Sequence, residues 1–178
     1  GNDIFDFTAT AQDLTFEFAT TGTNVQDTAT AGTNTLVTTT SSIEDFTGGS
    51  GDDTFVINEA GFAPNVGIEG GLGNNTLDAT LYAEGVTLNF DALNLRDRVT
   101  SALIINDISN IANVLGVTGG TVESLVIGTT LADVINITGA NQGNLAGTSF
   151  TDFADYEGNA GDDSFVFSDG ATVAGYVD

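Results

Sequence analysis

Cysteine, histidine, lysine, methionine and tryptophan are all missing from this 178-residue chain, and its only strong bases are Arg96 and Arg98. Each absence closes off a class of structure or partner. Without Cys there is neither a disulfide nor a thiolate zinc site. Two bases against 25 acidic residues leave a net charge of -23. Nucleic acids and anionic membrane surfaces are then repelled, because binding them takes a basic stripe that displaces counterions. No apolar run approaches the roughly 18 residues that cross a bilayer as a helix, and no signal peptide opens the chain. The sole proline, Pro64, lies between two glycine corners and fits an exposed bend.

What is present favours strands and turns. Hydrophobic residues make up 40%, too many for a disordered acidic tail. Gly, Thr, Asn, Asp, Val and Ile are abundant, while the good helix formers Glu, Lys, Arg and Met are scarce or missing. An all-β fold follows. The length suits one substantial core or a stretch of solenoid without clear domain limits. So many carboxylates make divalent cations natural partners. The plainer use of the charge is solubility of a secreted chain.

The chain repeats itself. Gly48-Gly49-Ser50-Gly51-Asp52-Asp53-Thr54-Phe55-Val56 returns as Gly158-Asn159-Ala160-Gly161-Asp162-Asp163-Ser164-Phe165-Val166, and in altered form as Gly70-Gly71-Leu72-Gly73-Asn74-Asn75-Thr76-Leu77. A weaker copy at 128–137 keeps Asp133 and the apolar alternation, and Gly32-Thr33-Asn34-Thr35-Leu36 is similar to 73–77. The unit is a turn plus a short strand. Gly allows positive φ, and Asp or Asn caps the corner by bonding nearby backbone amides. Alternation after each corner predicts that Phe5, Phe16, Phe18, Phe55, Ile57, Leu77, Phe90, Ile135, Ile137, Phe165 and Phe167 face a core. Gly51 to Gly73 spans about 22 residues, about one coil of a β-helix. One rung cannot bury its face alone, so rungs stack. The expected fold is a parallel β-helix or β-solenoid with Gly-Asp/Asn corner turns and irregular loop insertions. Residues 91–99 read as a short helical turn on the flank, with Arg96 and Arg98 paired locally to Asp91 and Asp97.

Residues 48–56 fit the haemolysin-type calcium-binding nonapeptide, G-G-x-G-x-D-x-U-x, at every defined position. With the lead-in segments 42–48 and 121–125, most of the chain resembles the large repetitive bacterial surface and adhesin proteins that carry such RTX-like Gly-Asp repeats. The resemblance implies a secreted, extracellular or cell-surface β-solenoid that is adhesive or fibre-forming. It also implies calcium between stacked turns, bound by turn carbonyls and the Asp carboxylate, the hard oxygen ligands that this ion prefers. Carried over by position, the ligands are Asp53 and Asp163, with Asp3 from a truncated copy and Asp52 and Asp162 beside them. The copies here are isolated, not tandem, and Asn75 replaces the Asp in one, so a lone turn offers half a cage. The other role for Asp53 and Asp163 is to cap corners through backbone amides.

Gly1-Asn2-Asp3-Ile4-Phe5 lines up with Gly51-Asp52-Asp53-Thr54-Phe55, and Val177-Asp178 with Ile68-Glu69, after which a Gly-Gly corner is expected. Residues 1–178 are thus expected to form one continuous solenoid segment of a longer repetitive protein, with copies near 1–7, 32–38, 46–57, 70–79, 128–137 and 156–167. The leading function is a structural module of an extracellular fibre, adhesin or surface coat, joined to further repeats through its strand edges. A calcium-dependent carbohydrate- or surface-binding module is the alternative. An enzyme acting on polysaccharides is disfavoured: there is no His or Lys to act as base, and adjacent carboxylates such as Asp52 and Asp53 diverge instead of facing one another across a substrate. The Thr clusters at 20–23 and 38–40 do not recur at rung spacing, so they make no flat ligand-binding ladder.

Overall fold

The computed structural model describes residues 3–19, 22–27, 36–38, 43–58, 65–117 and 121–178, with side chains described outside 20–42. Pro64, residues 32–35 of the copy near 32–38, and most of the two Thr clusters lie outside the described residues or side chains. In chain order the strands are β1 (Ile4–Asp6), β2 (Leu14–Ala19), β3 (Gly22–Asp27), β4 (Leu36–Thr38), β5 (Asp45–Thr47), β6 (Thr54–Ile57), β7 (Val66–Glu69), β8 (Thr76–Asp78) and β9 (Val86–Asn89). They continue with β10 (Asn94–Asp97), β11 (Leu103–Ser109), β12 (Asn113–Leu115), β13 (Leu125–Ile127), β14 (Val134–Gly139), β15 (Gln142–Leu145), β16 (Thr148–Thr151), β17 (Asp155–Glu157) and β18 (Ser164–Phe167). Among the described residues there is no helix, so none long and apolar enough to cross a membrane.

Two sheets share these strands. One has the order β1-β5-β7-β11-β10-β9-β13-β17, the other β18-β14-β15-β16-β12-β8-β6-β2-β3-β4. Strands on the two sides of a corner fall in opposite sheets, and equivalent strands pair in parallel: β1 with β5, β5 with β7, β2 with β6, β6 with β8. The core lies between the sheets. Phe16 and Phe55 are in register on β2 and β6, with rings stacked at 4.6 Å. Phe46 comes from the other sheet and meets Phe18 edge-on at 5.1 Å. At the far end Phe150 packs on Phe153 and Tyr156.

The alternation places most of the expected core. Phe16, Phe18, Phe55, Ile57, Leu77, Ile135 and Ile137 are fully buried, and Phe5, Phe90 and Phe165 are partly buried against them. Phe167 departs from the expectation at 49% exposed: among the described residues no strand pairs with β18 on the side away from β14. The opening alignment also fails. β1 pairs Phe5 with Phe46, so residues 4–6 occupy the strand before a corner, not the strand after one as Thr54-Phe55 does.

The larger departure is that the rungs are not uniformly parallel. β3 and β4 return antiparallel beside β2, β10 runs antiparallel between β9 and β11, and β15 runs antiparallel between β14 and β16. Strands therefore account for spacing that had suggested loops. The turns explain the reversals. Ala146 (φ 51°) and Gly147 (φ 92°) are both left-handed in a two-residue connection, which matches the twist of a hairpin. Leu93 (φ 46°), Ser101 (φ 61°) and Asn141 (φ 53°) are left-handed in the β9–β10, β10–β11 and β14–β15 connections. Residues 94–97, expected in a helical turn, are β10. Arg98 bonds Asp155 at 3.1 Å and Arg96 donates to the Ser101 carbonyl, in place of the local Asp91 and Asp97 pairs.

Set side by side, the two sheet orders form tiers: β1 with β2, β5 with β6, β7 with β8, β11 with β12, β10 with β16, β9 with β15, β13 with β14, and β17 with β18. The connections β8 to β9, β12 to β13 and β16 to β17 each skip past two tiers, and the two antiparallel meanders fill the skipped positions. The chain weaves between tiers in its middle.

Replacing Phe55 by Ala removes a fully buried, stacked ring and is expected to cost about 3–5 kcal/mol, whereas Phe167→Ala at the open edge should cost under about 1 kcal/mol. Urea unfolding of the two variants checks the ranking. Equal losses would mean that β18 is covered in solution.

Candidate functional site

Every corner has to satisfy backbone amides that no strand partner reaches. At 48–53 the problem is solved by side chains from the corner itself and from the next tier. Asp53, fully buried, accepts from the Leu14 amide at 2.8 Å and the Gly49 amide at 2.7 Å. Its own amide donates to Asn75 Oδ1 at 2.9 Å. The partners are 22 residues apart, the spacing of the glycine corners. Gly48 has to be glycine, because a Cβ there would lie 2.3 Å from Asp53 Oδ2 and 2.5 Å from the Gly70 carbonyl.

Asn75 works in both directions. Its Oδ1 caps Asp53, while its Nδ2 donates to the Leu72 carbonyl at 3.2 Å and, in the next tier, the Asn110 carbonyl at 3.0 Å. An ionised Asp has no donor to offer those two carbonyls. The departure from the nonapeptide at this position thus has a structural cause.

An outer row runs alongside. Asp13 Oδ1 accepts from the Asp52 amide at 2.8 Å, Asp52 Oδ1 accepts from the Asn74 amide at 2.7 Å, and Asn74 Oδ1 receives Asn113 Nδ2 at 3.4 Å. The second half of the chain repeats the inner row: Asp133 Oδ2 accepts from the Thr129 amide at 2.6 Å, and Asp163 Oδ1 caps the Asp133 amide at 2.9 Å. Asp91 accepts from the Thr130 amide at 3.1 Å. Between the two stacks the β9–β10 and β15–β16 turns replace corners, and there an apolar cleft of about 270 Å³ opens, lined by Leu88, Phe90, Leu93, Ile108, Ile111 and Val114 among others.

The expected metal residues are therefore distributed unevenly. Asp53 and Asp163 sit at equivalent inner positions, Asp52 and Asp162 on the exposed outer side of their corners. Asp3 joins neither group: it precedes β1, its amide bonds Glu44 Oε2 at 2.8 Å, and its carbonyl accepts from Glu44 and Asp45. Asp53 points both carboxylate oxygens at backbone amides, the capping role that its sequence position also allowed. Among the described residues no three His, Cys, Asp or Glu side chains converge as a metal group. Sequence reasoning missed Asp13, Asp91 and Glu69. Asp13 carried a signal, since it stands directly before the alternating run 14–18 as Asp53 stands before 54–57.

The carboxylates differ in electrostatics. Burial pushes the Asp53 pKa up, the Leu14 and Gly49 amides offset only part of this, and Asp13 and Asp52 add repulsion. Burial also acts on Glu69, but hydrogen bonds from Ser109, Asn110 and the Gly71 amide outweigh it and hold its pKa below the usual value. Asp97 behaves likewise: burial is outweighed by the Thr100 amide, the Tyr82 hydroxyl at 2.7 Å and the Thr100 and Val99 groups.

No family model, curated protein or solved structure matches the chain. The corners themselves are what defines it.

Two measurements follow. Asn75→Asp sets a carboxylate against the Leu72 and Asn110 carbonyls and should cost about 1–3 kcal/mol at neutral pH, with part recovered once the new acid is protonated. For Asp53 the folded state holds the proton more tightly than the unfolded state does. Its contribution is thus fully present below the unfolded carboxylate value and is lost as pH rises through the raised folded value. Glu69 and Asp97 act oppositely, and their contribution is lost only as pH falls through their lowered folded values. Melting temperature should therefore rise on acidification from about pH 7 toward about pH 4 and fall below that. A flat profile in Asp53→Asn across the upper window would assign the rise to this residue.

Proposed function

We propose that this chain is a structural module of an extracellular fibre, adhesin or surface coat, and that it extends through the strand edges at the ends of its stack. The observation that carries this reading is the corner row, in which the Leu14, Asp53 and Asp133 amides are capped by side chains of the next rung, a scheme that a further rung can continue. An enzymatic role draws no support from the carboxylates, which are turned onto backbone amides. A sugar-binding role draws little, because Phe167 and Tyr176 are the exposed aromatic rings among the described residues and they do not form a platform with a calcium cage. The extracellular placement rests on the likeness of residues 48–56 to secreted Gly-Asp repeats.

Calcium enters this reading as a counter-ion of the outward carboxylates around Asp52 and Asp162, with net charge -23 as the source of attraction. The inner Asp53 and Asp163 serve as caps.

Electron microscopy and sedimentation over a range of protein concentrations test assembly. Filaments or a concentration-dependent ladder of oligomers is expected, and a monomer at every concentration overturns the module reading. Melting in calcium, in chelator and in sodium chloride of matched ionic strength separates the two roles of the cation. A rise of a few degrees that sodium reproduces marks screening; a rise specific to calcium marks a ligand cage and overturns the capping role.

A further inference from the structure

The corners differ in length. Those at 48–53, 70–75, 128–133 and 158–163 each use six residues between one strand and the next, whereas the corner between β11 and β12 uses three, 110–112. In the next two tiers the hairpin turns 90–93 and 146–147 stand in place of corners. A recess therefore runs along this edge of the stack across three tiers, bounded by corner 70–75 at one end and corner 128–133 at the other. Thr130 of the second corner bonds Asp91 of the β9–β10 turn at 3.1 Å, so that corner borders the recess directly.

The deep part of the recess is the apolar cleft of about 270 Å³, lined by Leu88, Phe90, Ile108 and Val114. A more open part of about 510 Å³ continues to Leu72 and shares Asn110, Ile111, Ala146 and Thr148 with the cleft. Leu93, which also lines the cleft, is 51% exposed. Each bounding corner carries a leucine, Leu72 at 71% and Leu131 at 73% exposed. The six-residue corners farther out have Ser50, Gly51, Ala160 and Gly161 at the same two positions. Leucines that give nothing to the core thus stand on the corners that flank an apolar recess, a pattern that marks an interaction surface.

We infer that this recess is a docking site for an extended peptide segment of another protein, with an apolar centre and a Lys or Arg at each end. Length and charge set those terms. From the third tier to the seventh there are four spacings of about 4.8 Å, or about 19 Å, the reach of about six extended residues. Carboxylates stand at both ends. Asp52 accepts from the Asn74 amide close to Leu72, and Glu69 holds Ser109 and Asn110, which line the cleft. Asp91 stands at the other end. With a net charge of -23 behind them, these groups attract a basic segment and repel an acidic one. The bases have to come from outside these 178 residues, which hold only Arg96, donating to the Ser101 carbonyl, and Arg98, paired with Asp155. A second copy would bring more charge of the same sign. The recess lies in the middle of the stack and uses no open strand edge, so this site is independent of end-to-end assembly.

The probe is the blocked peptide Lys-Leu-Ile-Phe-Val-Lys, titrated into the intact chain while NMR follows each backbone amide. Saturable shifts are expected at 90–93, 110–112 and 146–148, with none at the corner 48–53. The same peptide with Glu at both ends should bind at least about tenfold more weakly, and added salt should weaken the Lys peptide. Leu72→Ser combined with Leu93→Asn tests the leucines without disturbing the fold. Ser is the residue of corner 48–53 at that position, and Asn accepts the left-handed backbone of Leu93. This variant should keep its melting temperature and lose about tenfold in affinity. No saturable shift, equal binding by the Glu peptide, or equal binding by the double variant overturns the inference. Shifts of the same amides with the chain's own concentration, in the absence of peptide, assign the recess to a second copy and overturn it too.

Discussion

The capping of corner amides by Asp and Asn side chains from the neighbouring tier is the constraint on which the rest of this molecule depends. A sheet of short strands has many ends, and each end strands polar backbone in a place that water reaches poorly. Asp53, Asn75, Asp133 and Asp163 solve this with contacts inside a corner and from one tier to the next. Because the Leu14, Asp53 and Asp133 amides are capped from another tier, those caps fix register as well as satisfying a donor. A slip by one residue would lose the caps and turn Phe16, Phe55 and Leu77 away from the core together. Caps and core therefore enforce the same alignment.

That scheme also explains how the chain tolerates so many carboxylates. An ionised side chain that accepts two amide hydrogen bonds is compensated locally, without a base. Arg98 and Asp155 form an ion pair, but the corners need none. The compensation is incomplete where burial is deepest, and the upward shift at Asp53 is the sign of it. Asn75 shows the limit from the other side: where a corner must donate as well as accept, the carboxylate gives way to an amide.

The strand content, the Gly-Asx corners and seven of the core side chains were legible because alternation and turn chemistry are local signals. The parts that were not legible depend on direction and on distant partners. Apolar alternation reads the same in parallel and antiparallel strands, so the reversal at β10 and β15 left no mark in the pattern of residues 94–97 and 142–145. Ala146-Gly147 is a weaker hairpin signal than Asn-Gly, and Leu93 in a left-handed turn is no signal at all. The misreading of residues 91–99 as helical came from Leu93, Leu95 and two Arg residues in a short span. Burial of Leu95 between β9 and β11 settles that segment as a strand. Arg98 could not be paired from the sequence, because Asp155 lies 57 residues away.

The weave in the middle bears on how the stack is held together. In a simple solenoid each rung touches only its neighbours, so a rung can be added or lost anywhere along the stack. Here β9 is held between β10 and β13, and β12 between β8 and β16, by strands from distant parts of the chain. Opening the stack in its centre would break pairings in both sheets and uncover Phe150, Phe153 and Tyr156 at once. Cross-bracing is therefore concentrated in the middle of the stack, where β9 and β16 each carry one antiparallel partner and one parallel partner from a distant part of the chain.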